Sequence, residues 1–347
     1  MENEQIKVKS AFEVSENELI EFYGQAFENR MKFLPAIWRW LNRTDFYQNR
    51  TPLIVEIDKK VIAHAGMMPF FINLEGKKHT AAWFIDFKIL DQWQRQGIGE
   101  ILTKKWMEFS DCCVTFCNEK SIGVFKKTGW QESFNTFLHL NFTYPFSHPA
   151  FMRKLPKWLC KILNITILPF IFAFYKTKAY SKNQFKIEKL TDENFIEFYK
   201  IYEQKSKNNV TLATPIRDYD FVNWRILYSP NREKYFIYKC KNFQAILLIN
   251  NNHGKYIDIL WITDNRNKLE ISKMIATLSL YAIKQKIAYI RFYTSNKVVS
   301  DFVKHKTFSK VKHIRFAFFS KNKEIFDKMK KNSFDFELLD SDFEHIR

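Results

Sequence analysis

Glycine is scarce in this chain, 8 of 347 residues where average usage is about 7%. Yet Gly97, Gly99, Gly123 and Gly129 fall within one short stretch. The first two belong to Gln94-Arg95-Gln96-Gly97-Ile98-Gly99, between an apolar run ending near Leu90 and residues of helical spacing, Glu100 to Phe109. Glycines here permit backbone conformations and close approaches denied to other residues, so successive N–H groups can face one concavity. A helix starting at that point adds its free amides and the positive end of its dipole. Strand, loop and helix in this order suit a pyrophosphate, with Gln94 and Arg95 supplementing the cradle. A tight strand-to-helix turn uses the same Gly-x-Gly, so the loop alone does not settle the matter.

A second element sharpens it. Asn118-Glu119-Lys120-Ser121-Ile122-Gly123-Val124-Phe125-Lys126-Lys127-Thr128-Gly129-Trp130 places an amide at a strand end, then a short helix stopped by glycine. The two elements together resemble the GNAT acyltransferase family. Its cofactor loop reads (Gln/Arg)-x-x-Gly-x-(Gly/Ala), and its next motif Asn-x-x-Ala-x-x-x-Tyr-x-x-x-Gly-Phe. Gln94, Gly97, Gly99, Asn118, Gly129 and Trp130 fall in register. The resemblance covers about residues 5 to 145, and the later half is similar, more loosely, to a degenerate second copy of tandem members.

The resemblance implies acetyl-CoA threaded between two splayed strands, with no metal. Its pyrophosphate would sit on Gln94, Arg95, Gln96, Gly97, Ile98 and Gly99, its pantetheine along Ile89 and Leu90, and its arm against Asn118. Direct transfer needs a neutral amine to attack, an N–H to stabilise the oxyanion and a proton for the leaving thiolate. The family commonly takes that proton from a tyrosine. Phe125 holds the matching position and cannot donate one, so another acid, or solvent, must serve. As base, Asp86 is preferred, because strand alternation puts it on the face of Lys88 and Leu90; a structural ion pair is its plainer role. Glu119 and His64 are weaker alternatives. In the later half, Arg217, Trp224, Arg225 and Tyr228 form an aromatic-arginine cluster suited to holding a sugar or phosphate, or equally to core packing.

These residues need elements to position them. A strand over residues 6–12 precedes a capping box, Ser15-Glu16-Asn17-Glu18, opening a helix to about Glu28, and a second helix spans 31–42. Runs at 53–57, 61–74 and on to Leu90 form an antiparallel meander. Strand-like Cys112–Cys117, a helix at 122–128 and a strand to about Tyr144 complete the unit. From 151 to 176 prolines and apolar residues suggest a connector. Its apolar run, 162–175, is too short and broken to cross a membrane, which takes about 20 residues. The strands and helices after residue 181 repeat the same order, but Asp264-Asn265-Arg266-Asn267-Lys268 contains no glycine in place of the loop. The fold class expected is α/β (α+β), with two GNAT-like domains, each a mixed, mostly antiparallel sheet flanked by helices. The expected bounds are 1–147, connector 148–180, 181–330 and tail 331–347.

Composition frames the function. Residues 1–147 carry 18 basic and 18 acidic residues, so the whole net charge of +18 lies beyond them. That excess suits an anionic partner, and the basic residues around an apolar connector, with no acidic residue from His148 to Lys176, suggest peripheral contact with a membrane. Nucleic acid is disfavoured, because the lysines are scattered and no zinc finger or helix-turn-helix signature occurs. Five cysteines form no paired framework and no leader opens the chain, so a cytoplasmic location is expected, at the inner membrane face where the connector makes contact. The leading expectation is N-acetylation of a small or carbohydrate acceptor, such as an amino sugar of surface polysaccharides. A basic binding module without catalysis, and aminoacyl transfer to cell-wall precursors, are the competing readings. Oligomeric state is left open.

Overall fold

The structure is a computed structural model and describes residues 6–27, 34–42, 51–147, 154–206, 213–241, 243–250 and 255–342. The expected helix limits at Glu28 and Met31 lie outside these. The chain begins β1 (Lys7–Ser10), α1 (Glu16–Ala26), α2 (Leu34–Leu41), β2 (Leu53–Ile57), β3 (Lys60–Leu74), β4 (Lys77–Ile89), α3 (Ile98–Trp106), β5 (Cys112–Cys117), α4 (Ile122–Lys127), β6 (Gln131–Ser133) and β7 (Phe137–Phe142). It continues α5 (Lys157–Lys176), β8 (Lys186–Lys189), α6 (Asp192–Ser206), β9 (Thr214–Pro215), α7 (Tyr219–Val222), β10 (Tyr235–Cys240), β11 (Phe243–Asn250) and β12 (Tyr256–Ile262). Then come α8 (Lys268–Lys284), β13 (Tyr289–Thr294), α9 (Lys297–Lys306), β14 (Ser309–His313), β15 (Arg315–Phe319) and α10 (Lys323–Lys331).

Local chemistry explains the first elements. The Ser15 and Glu18 side chains each take the other's backbone N–H, which satisfies amides orphaned at the start of α1. Leu19, Phe22 and Tyr23 then share its buried face. Asp58 and Lys59 both adopt positive φ, 51° and 61°, the geometry of the tight turn that joins β2 to β3 without splaying them.

Two sheets result, both mostly antiparallel and flanked by helices. The first runs β1-β2-β3-β4-β5-β15-β6, with β9 on β3 off this path; the second runs β14-β7-β13-β12-β11-β10-β8. Within them only β4 with β5 and β12 with β13 pair in parallel, each pair joined through a helix. Helices α1 and α2 bury Leu19, Phe22, Tyr23 and Trp38 against Ile54, Val61 and Leu90 on one side of the first sheet. On the other, Ile98, Leu102, Trp106 and Phe125 of α3 and α4 cover Val55, Ala63, Ala65 and Phe84.

The expected division at residue 147 does not follow the sheets, which exchange strands. β7, expected to end the first unit, lies between β14 and β13 of the second sheet, and β15 returns to lie between β5 and β6 of the first. Phe316 and Phe318 of β15 are buried there, and each such side chain contributes about 1.5–3 kcal/mol of apolar burial. The expected tail is also a correction: Phe334, Phe336, Leu338 and Leu339 belong to the core shared by the two sheets, beside Trp83, Phe70, Trp261 and Tyr293. Residues 343–347 lie outside the described ones. The connector, expected as a broken run, is one continuous helix of 20 residues, α5, with Pro169 inside it.

Candidate active site

The site starts where β4 and β5 part. Their parallel register runs Ala81↔Cys112, Ala82↔Cys113 and Trp83↔Val114 and then stops. Thr115 Oγ1 donates to the carbonyl of Phe84 across 2.8 Å, closing the apex of a wedge whose walls are 84–89 and 115–117. On the opposite edge of β4 the register with β3 slips between His64↔Lys88 and Gly66↔Ile85. One extra residue therefore sits in β4, a bulge that disrupts the ladder and turns the strand. Asp86 occupies it at φ 47°.

Beyond the bulge the loop is tied from within. Gln94 Nε2 donates to the carbonyl of Ile89 (3.2 Å) and to Asp91 Oδ1 (2.7 Å), and Lys88 donates to the same carboxylate (2.8 Å). Lys88 first, with help from Lys120 and Gln94, holds the Asp91 carboxyl below its usual range. Arg95 and Gly97 take positive φ, 65° and 81°. Gly97 is the cap of α3, and no side chain caps that helix. Gly97 faces open space, with nothing within 4 Å of where a Cβ would stand. At Gly99 a Cβ would meet Ile89 Cδ1 at 3.1 Å and the Phe87 ring at 3.4 Å, so its lack of side chain lets α3 close on β4. Uncapped amides at a dipole's positive end, opening on space, form an anion cradle, and exposed Arg95 and Lys120 add positive charge near it.

Of the expected cofactor residues, Ile89 and Gln94 to Gly99 gather at one mouth, but Leu90 is buried on the α1 side with Phe22 and Trp38, and two others carry qualifications. The side-chain oxygen of Asn118 accepts from the N–H groups of Lys120 and Ser121, so it caps its own turn and leaves only its amide nitrogen to donate to a ligand. Phe125 is a core residue, 1% exposed, packed against Phe84, Phe87 and Trp130 at ring separations of 5.3, 5.8 and 4.9 Å.

Around Asp86 the structure adds partners not read from the sequence. Tyr23 Oη donates to its Oδ2 at 3.2 Å. Trp38 Nε1 donates to His64 Nε2 (3.3 Å), which assigns the ring proton to Nδ1 and directs it to the carbonyl of Asp86 (3.0 Å). His64 thus pins the bulge and has no free nitrogen to act as base. Tyr23 and Trp38 are buried on the inner faces of α1 and α2, where nothing in their spacing marks them as site residues. Further along the α1 side a cleft of about 410 Å³ is lined by Glu18, Glu21, Phe22, Leu90 and Trp93 together with Asp58, Lys59 and Lys60 of the β2–β3 turn, and neither Asp86 nor Tyr23 borders it.

Glu119 is exposed and paired with Arg315 of β15 at 2.9 Å. The aromatic-arginine cluster is not one ligand site. Arg217 grips both oxygens of Asp340 at 2.8 and 2.5 Å. Arg225 donates to the carbonyls of Leu339 and Ser341 from between Trp40 and Trp224, and the two indoles donate to each other's carbonyls. These residues clamp the C-terminal segment into the core, and Tyr228 stands apart at 71% exposure. In the second sheet, Asn267 caps α8 by accepting from Glu270 N, where the first sheet has the uncapped Gly97. Among the described residues no group of three His, Cys, Asp or Glu side chains is placed to hold a metal.

No protein-family model and no curated protein matches the chain. Solved structures do. A GCN5-related N-acetyltransferase from Kribbella flavida aligns over 90% of this chain and 70% of its own, at TM-score 0.58 and 9% identity. One from Anabaena variabilis aligns over 92% and 73%, at 0.58 and 12%. Saccharomyces cerevisiae N-myristoyltransferase, with bound myristoyl-CoA, aligns over 90% and 79%, at 0.56 and 9%. The chain has the GNAT fold across both sheets.

Proposed function

We propose that this protein is an acyltransferase that moves the acetyl group of acetyl-CoA directly to an amine of a small or carbohydrate acceptor. The observation that carries the reading is the order of features along β4, from the Asp86 bulge, past the point where β4 and β5 part, to the uncapped start of α3 at Gly97. The pyrophosphate would lie on the loop from Gln94 to Gly99, and the pantetheine along Ile89. The acceptor would approach from the α1 side, from which Tyr23 meets Asp86.

In the reaction the amine nitrogen attacks the thioester carbonyl, the C–S bond breaks and CoA leaves as thiolate. Asp86 takes the proton released by the amine, oriented by Tyr23, and water at the mouth supplies the thiolate's proton, since buried Phe125 has none. The phenylalanine favours a second reading, CoA binding without turnover. Incubation of the full chain with acetyl-CoA and a panel of amino sugars, nucleotide-linked amino sugars, peptides and polyamines, read as free thiol, separates the two. Thiol release with one acceptor class supports transfer. Measured CoA affinity with no release across the panel supports binding alone, and absence of both refutes the site.

A further inference from the structure

Helix α5 presents two unlike faces. One is fastened to the protein. Ile171 and Tyr175 pack on Ala276 and Ile283 of α8. Asn164 accepts from Phe146 N (3.0 Å) and donates to Ser147 Oγ (3.0 Å), while Tyr175 Oη donates to Asn141 Oδ1 (2.5 Å) and accepts from Phe308 N (3.0 Å). The other face carries Trp158, Ile162, Ile165, Pro169 and Ala173, a stripe at helical spacing with Phe170 beside it, and all are exposed. Trp158 is 65%, Ile165 63% and Phe170 73% exposed. Soluble proteins rarely leave so much contiguous apolar surface uncovered.

The charge around the stripe identifies what covers it. Lys154, Lys157 and Lys161 stand at its start. At its end are Lys176 and Lys178, the latter donating to the carbonyl of Lys306 in the basic last turn of α9. No acidic residue occurs from His148 to Lys176. A second protein would need a matching acidic frame around an apolar groove. A bilayer with anionic headgroups supplies both along a straight line about 30 Å long, the length of this helix. Among the described residues α5 is the one helix long and apolar enough to cross a membrane. Crossing would strip Asn164 and Tyr175 from their partners, however, and leave them unpaired in hydrocarbon.

We infer that α5 docks this protein on an anionic lipid surface, lying in the plane of the interface with Trp158, Ile162, Ile165 and Phe170 among the acyl chains and the lysines on the headgroups. The inference does not depend on acyl transfer, because none of these residues touches the wedge.

Co-sedimentation of the full chain with vesicles of phosphatidylcholine alone, and with phosphatidylglycerol added as about a quarter of the lipid, tests it. Binding to the anionic vesicles is expected, weakened by salt. An Ile162→Asp, Ile165→Asp pair should lower it at least about ten-fold, and replacing Lys154, Lys157 and Lys161 by Gln should cost about five-fold each. Unchanged circular dichroism and CoA affinity would establish that the variants fold. Wild-type protein left in the supernatant with anionic vesicles, or binding indifferent to both sets of changes, overturns the inference. So does a concentration-dependent dimer, seen by sedimentation velocity, that the isoleucine changes dissolve while lipid is ignored; a second copy would then cover the face.

Discussion

Tyr23 of α1 donates its hydroxyl to Asp86 of the β4 bulge across 3.2 Å, joining residues 63 apart in sequence. The contact fixes one carboxylate oxygen on the α1 side of the sheet, the side by which the proposed acceptor enters.

Asp86→Asn should remove the base and keep the bulge, because asparagine tolerates positive φ better than most residues. Turnover is expected to fall about 100-fold or more with acetyl-CoA affinity unchanged. Tyr23→Phe, a positioning change, should lose about ten-fold and displace the acid limb of the pH–rate profile. Steady-state kinetics with the acceptor that gives thiol release, and calorimetry with CoA, check both. Full turnover in Asp86→Asn would remove Asp86 from the chemistry.

The loop can be tested without an acceptor. Gly97 sits at φ 81° in open space, so Gly97→Val disturbs the backbone cradle at a strain of about 1–2 kcal/mol without a steric clash. Gly76, at φ 83° in the β3–β4 turn, is equally open and lies far from the wedge, which makes Gly76→Val a matched control. Calorimetry should show CoA affinity reduced at least about ten-fold by the first change and untouched by the second. Equal affinities would displace the cofactor from this loop.

What could be read from sequence divides along local and non-local physics. The Ser15 capping box and the Gly97 loop are written within a few residues, and each has the expected geometry. The wedge was expected only through the resemblance, which implied two splayed strands, and β4 and β5 do part after Trp83↔Val114. The exchange of β7 and β15 was not legible, since a buried strand alternates in the same way whichever sheet receives it. Nor could Arg217 and Arg225 be assigned: a guanidinium that clamps a carboxylate of its own chain 123 residues away has the same local sequence as one awaiting a ligand. Tyr23 was hidden for a related reason, since one hydroxyl on an apolar helical stripe leaves the pattern unchanged.

The Arg217–Asp340 pair holds the C-terminal segment between the sheets, with Arg217 3% and Asp340 fully shielded at the side chain. Asp340→Ala would leave a buried guanidinium without its bidentate partner, a loss of about 3–5 kcal/mol. Urea unfolding should report that destabilisation, and folded variant protein should keep its CoA affinity, since neither residue borders the wedge. Lost affinity with full stability would mean instead that the pair serves a ligand.

Acid should loosen the second sheet through His139, on β7. The ring is 1% exposed, and its Nε2 lies 2.9 Å from Ser300 Oγ. Burial foremost, then Lys304, outweighs the opposing pull of Asp301 and brings its pKa down from 6.5 to about 4. The unfolded chain therefore takes up a proton at a pH where the folded one does not. Stability from this residue is full above pH 6.5 and is lost as pH falls from there towards 4, by up to about 3 kcal/mol. Other groups titrate over the same range, so the informative quantity is a difference between two proteins. His139→Gln keeps a side chain able to meet Ser300 and has nothing to titrate. Its unfolding free energy, from urea curves at several pH values, should fall less steeply between pH 6.5 and 4 than the wild type's. Parallel curves would show that His139 carries its proton equally well in the folded state, and hence that β7 is less tightly enclosed than its position between β13 and β14 requires.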